Sequence, residues 1–358
     1  MKIKLKTKEL NRALNKLSLL IDKRDQGIMQ SVFFNAAGGK ITLTAGDDVG
    51  LASGSKTLTI TTSGDILEAG DACIDALAMQ KICKNIEATE VVLEYQEGEE
   101  VATIEANNLL LKAPCFNPLD YPPAPLLENV REAEATGLID AINFVKVAMA
   151  KKKHARKYLA GVYLKNKKEE GKIEATATCG HWLLQTQIVG ELAEDLFLNE
   201  EQVNLICKIF KDNQEIKIST NKTLFQIESE NISFVSKLSE GNMSINFDEA
   251  KPNILTIDNH YQIEAASFSN ALLQILDDSK YSGTLLEWDG QGNLKLESKV
   301  GELSLKSNGN ALKTAFNAKY LMIICKQMGD FRMSLKDGTS PALFETQKGI
   351  CVLMPIRF

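Results

Sequence analysis

The sequence predicts an α+β protein built from three tandem copies of one two-helix, antiparallel-sheet unit. Three observations carry this. The tripeptide Ile-Cys-Lys occurs at Ile82, Ile206 and Ile324, 124 and 118 residues apart, in a chain of 358 residues with seven cysteines. An apolar stripe recurs upstream of each copy, in "LNRALNKL" from Leu10, "LIDAINFV" from Leu138 and "FSNALLQI" from Phe268. Short alternating runs broken by turn residues fill the space between these helical stretches.

Each stripe places an apolar residue at i, alanine at i+3 and apolar residues at i+4 and i+7, one buried face of a helix. The Ile-Cys-Lys copies sit in a second helical pattern, "DALAMQKICKNI", "NEEQVNLICKIF" and "NAKYLMIICKQM", with Asp75, Asn199 and Asn317 placed to cap it. Their cysteines read as small buried hydrophobes. Between the two helices of each unit, "SVFFNAAGGKITLTA", "GVYLKNKKEEGKIEATAT" and "GTLLEWDGQGNLKLES" read as strand, turn, strand, with turns at Gly38-Gly39, Gly171 and Asp289-Gly290. More strands follow each second helix. Five of the eight prolines (Pro114, Pro118, Pro122, Pro123, Pro125) mark a linker after the first unit, and a second junction falls near Pro252. The expected domains are 1–122, 128–250 and 254–358.

Composition is that of a soluble globular protein, 44% apolar and 25% charged. No apolar run reaches the ~18 residues of a membrane helix. The first residues alternate apolar and charged, unlike a signal peptide, so a cytoplasmic location is expected. The scattered cysteines include no C-x-x-C pair, which disfavours a zinc site, and no cofactor is expected.

Net charge is −6, against the basic balance usual for DNA-gripping proteins. The distribution says more. Lys8, Arg12 and Lys16 form a basic stripe opposite Leu10, Leu14 and Leu17, and "AKKKHARKY" at 150–158 is the densest basic run. These lysines are either solvated helix faces or a surface directed at a polyanion. No aromatic residues interleave with them, so base stacking is not indicated. No helix-turn-helix or zinc-finger pattern indicates base reading. Cys179 and His181, two apart in "TATCGHWLL", invite a thiol-enzyme reading, but no third partner is specified and no catalytic motif is present. No enzyme is expected.

The triplicated unit, "KYLAGVYL…ATATCGHWLL", "FVSKLSEG" and the terminal "VLMPIRF" together resemble the bacterial DNA polymerase III beta subunit family, the replicative sliding clamps, over essentially the whole chain. The family's R-x-x-L-x-G is met by Arg156, Leu159 and Gly161. Its T-D-G-H-R-L is met by Thr178-Cys179-Gly180-His181-Trp182-Leu183, and its M-P-[MIV]-[RK] ending by Met354-Pro355-Ile356-Arg357. The resemblance implies the DNA clamp fold: two three-domain protomers closed head to tail into a ring, strands outside and helices lining the hole. Duplex DNA threads the ring, which tethers the polymerase.

The resemblance further implies DNA contacts at Arg24, Lys153, Lys157 and Tyr158, to which the sequence adds Lys8, Arg12 and Lys16. It implies a groove for short peptides from the polymerase III catalytic subunit, the clamp loader and repair proteins. That groove would be lined by Leu159, Thr178, Gly180, His181, Trp182, Leu183, Tyr320, Met354, Pro355, Ile356 and Arg357. It places a protomer contact at Ile275 and Leu276 against Leu109 on the partner. The chain departs from the family at Trp182 and Cys179, where arginine and aspartate are usual, and in "GNMSINFDEAKP", which lacks G-R-F-P-D-Y and carries acidic Asp248 and Glu249. An alternative is a clamp-like peptide-binding regulator that does not encircle DNA.

Overall fold

The computed structural model describes residues 1–21, 27–46, 56–125, 127, 131–151, 156–167, 170–211, 215–221, 223–241, 243–277 and 283–357. Six α-helices form among them: α1 Thr7–Leu17, α2 Ala76–Asn85, α3 Leu138–Val145, α4 Glu200–Ile209, α5 Ala265–Gln274 and α6 Ala318–Met328. Each predicted apolar stripe is buried at all four of its positions: Leu10, Ala13, Leu14, Leu17; Leu138, Ala141, Ile142, Val145; and Phe268, Ala271, Leu272, Ile275. The three caps also form. Asp75 accepts from the Ala78 amide at 2.7 Å, Asn199 from the Gln202 amide at 3.0 Å and Asn317 from the Lys319 amide at 2.9 Å. Gln202 returns a bond to the Asn199 amide at 3.0 Å, closing a reciprocal capping box. Cys83, Cys207 and Cys325 are buried, each followed by an exposed lysine.

The chain divides into two compact units. The first comprises 1–135 and 208–238. Its strands form one antiparallel sheet in which Ile232–Lys237 pairs with Lys56–Thr62, so strands from either side of the expected boundary near 125 share one ladder. The Gly38-Gly39 turn joins Ser31–Ala37 to Lys40–Gly46. Both glycines have positive φ (58° and 75°), as a two-residue hairpin turn requires. Asn11 Nδ2 donates to the Cys83 carbonyl at 2.8 Å, and Gln80 Nε2 to the Leu14 carbonyl at 3.1 Å. These two amides tie α1 and α2 together over the buried stripe and satisfy a carbonyl in the last turn of each.

The second unit comprises 136–207 and 239–358. Its larger antiparallel sheet joins Trp182–Val189 to Gly349–Leu353 in the register Trp182↔Leu353, Leu183↔Val352. A four-stranded sheet runs Glu302–Lys306, Asn293–Glu297, Gly283–Trp288, Leu312–Asn317. The predicted turn at Asp289-Gly290 is held by the Asp289 carboxylate, which accepts from the Gln291 and Asn293 amides at 2.7 and 3.0 Å. The chain is thus α+β, with strand pairing antiparallel in each unit. No helix among the described residues is long and apolar enough to cross a membrane.

Candidate nucleic-acid and peptide-binding sites

The burial of Leu10, Ala13, Leu14 and Leu17 turns Lys8, Arg12 and Asn15 of α1 outward, and all three are exposed. Lys16 is placed differently from the expected DNA-facing stripe. Its Nζ donates to the Ile209 carbonyl at 2.6 Å, on the last residue of α4, where a cation complements the negative end of the helix. Lys157 and Tyr158 lie in a single 3₁₀ turn, Lys157–Leu159, with Lys157 exposed. The Tyr158 carbonyl accepts from Tyr163 Oη at 2.8 Å, which fixes that turn against the sheet. Arg24 and Lys153 lie outside the described residues.

The expected peptide-groove residues converge at one corner of the second unit's sheet. Thr178 Oγ1 donates to the Trp182 carbonyl at 2.7 Å and accepts from the Gly180 amide at 3.0 Å, so the chain reverses at 179–181. Gly180 has φ +88°, which favours glycine, and a Cβ there would lie 3.8 Å from Leu159 Cδ1. The C-terminal strand continues past Leu353. Its Met354 amide donates to the His181 carbonyl at 3.0 Å, and its Ile356 amide to the Ala315 carbonyl at 2.8 Å. This pinned extended tail leaves Met354 47% and Ile356 37% exposed, while Pro355 is half-buried and His181 and Arg357 are exposed. Trp182 is only 3% exposed because Tyr320, on the first turn of α6, stacks on it at 5.3 Å and 23°. Cys179 Sγ lies 4.0 Å from Tyr320 Oη.

Leu183 points to the opposite face of its strand from Trp182, as alternation requires. It packs in a cluster with Tyr163, Phe197, Phe247, Leu343 and Val352. The departing segment 243–248 closes this cluster. Met243, Ile245 and Phe247 face inward while Ser244, Asn246 and Asp248 face out, a two-residue alternation legible in "MSINF" but unused in the sequence reading. Lys165 Nζ donates to the Met243 and Ile245 carbonyls at 3.1 and 2.6 Å and lies 5.2 Å over the Phe247 ring. Asp248 bonds Lys251 and faces Lys167 at 3.5 Å. The Lys251 ammonium holds the Asp248 carboxyl below the usual range. Asp248, one of the two acidic residues noted in the sequence, is therefore partly neutralised by Lys251 and Lys167.

The expected dimer residues separate. Ile275 completes its own unit's buried stripe and is 4% exposed, while its carbonyl accepts from Ser298 Oγ at 2.7 Å. Leu276 is half-buried, and the exposed apolar side chain of α5 is Leu273, at 52%. Leu109 is 54% and the adjacent Leu110 66% exposed, at the start of a strand whose first residues pair only with Val101–Ala106. Among the described residues no group of three His, Cys, Asp or Glu is placed to hold a metal ion.

This architecture is that of a DNA clamp. The family model for the DNA polymerase III beta subunit, central domain, matches residues 132–244. The whole chain has the fold of bacterial sliding clamps. The DNA polymerase III subunit beta from Pseudomonas aeruginosa superposes with a TM-score of 0.86 at 19% identity, covering 100% of both chains. The Helicobacter pylori beta clamp bound to a DNA ligase peptide gives 0.86 at 20% identity, again over 100% of both. The Bacillus subtilis sliding clamp gives 0.85 at 17% identity, covering 100% of this chain and 99% of the other. No curated protein sequence matches the chain significantly.

Proposed function

We propose that the chain is a cytoplasmic DNA sliding clamp, a head-to-tail homodimer that encircles duplex DNA and tethers a polymerase for processivity. The observation that carries this reading is the repeat itself. Three two-helix units recur over the full length of a chain that superposes end to end on bacterial clamps. The division into domains at 1–122, 128–250 and 254–358 follows the same repeat. A closed ring holds DNA topologically, so an acidic average charge is tolerable, and exposed Lys8, Arg12 and Lys157 supply sequence-blind attraction. Arg24, Lys153 and Tyr158 belong to the same proposed contact surface.

The corner formed by Leu159, Gly180, Tyr320 and the Met354–Arg357 tail is the proposed peptide groove, with Thr178, His181, Trp182 and Leu183 behind or beside it. Its partners are short peptides of the polymerase III catalytic subunit, clamp loader and repair proteins. Exposed apolar side chains held on a pinned backbone suit peptide capture. Leu109 and the end of α5 around Leu276 are the proposed protomer contact. The burial of Ile275 favours Leu273 and Leu276 over Ile275 as the apolar contribution from α5.

Sedimentation velocity across a concentration series tests the ring. The expected species is a dimer of about 79 kDa, twice the 39.5 kDa chain, retained on circular DNA and lost when the circle is cut. A monomer throughout that still binds peptide would replace the ring with the non-encircling regulator.

A further inference from the structure

The segment 243–248 lies on the second unit's sheet in the manner of a bound peptide. Met243, Ile245 and Phe247 turn inward, and Ser244, Asn246 and Asp248 outward. Alternate side chains entering pockets from an extended backbone are how sheets recognise peptides. Yet residues 243–246 belong to no strand. Side chains of the neighbouring strand Gly161–Lys167 fasten them instead. Lys165 Nζ donates to the Met243 carbonyl at 3.1 Å and the Ile245 carbonyl at 2.6 Å. Lys167 Nζ lies 3.5 Å from the Asp248 carboxylate and 3.6 Å from that of Glu174. Hydrogen bonds from a charged amine are stronger than neutral ones, and here one side chain supplies two of them.

What the segment covers gives this fastening a use. Leu183 pairs with Val352 across two strands, and their side chains share one face of the sheet. Both are buried in the cluster that the segment closes. The chain stays extended past Leu353, pinned through the Met354 amide, so alternation returns Met354 to the face of Val352. Met354 is exposed. One apolar row is thus closed by the chain itself at its Leu183–Val352 end and open at its Met354 end. The cover is lighter than core packing. Met243 and Ile245 are only partly buried, and Phe247, edge-on to Tyr163 at 5.1 Å, is its one buried anchor.

We propose that residues 243–247 are an internal competitor for the peptide groove: a strap, latched by Lys165, that occupies the Leu183–Val352 end of the apolar row and lifts when a partner peptide runs along the row from Met354. This rests on the peptide-groove reading and adds a regulation to it. A plain connection between two parts of the fold needs neither inward alternation nor a cation on its carbonyls. A peptide that enters the covered end must break both Lys165 bonds and withdraw Ile245, so the wild-type chain binds it more weakly than the uncovered row would.

The test uses the full chain and a fluorescent peptide from the clamp-binding segment of the polymerase III catalytic subunit. Anisotropy reads affinity, and hydrogen exchange followed by mass spectrometry reads the strap. Saturating peptide should speed exchange of amides 244–247 in wild type, because the strap is displaced. A strap that serves as a groove wall would exchange more slowly. Lys165→Met keeps the apolar stem and removes the latch. It should speed the same exchange without peptide and tighten the peptide by about tenfold, since a hydrogen bond to a charged group contributes at least that much. Lys165→Arg keeps the charge and donors and should restore wild-type affinity. Ile245→Ser withdraws a half-buried side chain from the strap alone. It should tighten binding in the same direction, and it carries the test if Lys165→Met does not fold. Slower strap exchange on adding peptide, or weaker binding by Lys165→Met and Ile245→Ser, would overturn the competitor and leave the groove reading standing. If neither wild type nor the variants bind the peptide, the groove reading itself fails and the competitor with it.

Discussion

Replacing Tyr320 by alanine uncovers Trp182, and the structure fixes what should follow. The indole is 3% exposed and stacked at 5.3 Å on a half-buried tyrosine ring. A stacked aromatic pair contributes about 0.5–1.5 kcal/mol beyond burial. Removing half the burial of a tyrosine, on the order of 100 Å², costs up to about 2.5 kcal/mol. The combined loss should be up to about 3–4 kcal/mol with the fold retained. Intrinsic fluorescence reads the local change directly. The chain has two tryptophans, and Trp288 is 1% exposed against Tyr261 at 3.9 Å, so its signal should not move. Tyr320→Ala should red-shift the Trp182 emission and raise its acrylamide quenching. On the proposed function it should also weaken a short clamp-binding peptide by at least tenfold, the effect of losing an aromatic hot spot. An unshifted spectrum with unchanged quenching would refute the stacked geometry. A shifted spectrum with unchanged peptide affinity would refute Tyr320 as part of the groove.

Asn199→Ala should destabilise by about 1–2 kcal/mol in urea unfolding, because it removes a capping box and the Asn199–Ser239 bond of 2.7 Å. Gly241→Ala should be destabilising by about 1–3 kcal/mol, since a Cβ there would come within 2.5 Å of the Phe197 side chain; unchanged stability would show that ring free to move. Among the thiols, a chromogenic disulfide at pH 8 should react fastest with half-exposed Cys179, and Cys179→Ser should abolish that phase. Burial pushes Cys73, Cys83 and Cys325 up to about 12 and Cys115 to about 11, so these should stay slow until unfolding. The Asp337 carboxyl is held down to about 2 by hydrogen bonds from Thr339 and Ser340. Its contribution is present above the unfolded pKa near 3.9 and lost as pH falls towards 2. The stability gap between wild type and Asp337→Asn should therefore narrow between pH 4 and 2.

The repeat was legible because its signals are local. Helical stripes, caps and a Gly-Gly turn depend on residues within one or two turns, and each formed where the spacing put it. The sheets were legible as strands but not as sheets. Nothing near Ile232 or Lys56 announces that their strands pair, because that ladder depends on contacts about 175 residues apart in sequence. The expected groove residues came from motif likeness, in which their stacking was not legible. That Tyr320 covers Trp182 follows from where α6 begins relative to a strand 138 residues earlier. Ile275 shows the limit of transferring a role by position. The same residue that matched an interface pair also occupies the i+7 place of a core stripe, and the core claims it.

Lys16 shows the same competition in charge. Sequence spacing groups it with Lys8 and Arg12, yet one further turn of α1 brings its amine within reach of a helix C-terminus. A carbonyl there is an orphan acceptor that a cation satisfies directly. The local partner wins because it is always present. The exposed positive charge of α1 is therefore smaller than the count of basic residues suggests, and it is concentrated at Lys8 and Arg12. For a protein that had to grip DNA by affinity alone, this would be a weakness. For the proposed ring it is consistent with sliding, because each phosphate contact must be released at every step, and a few weak, salt-sensitive contacts are released faster than many strong ones.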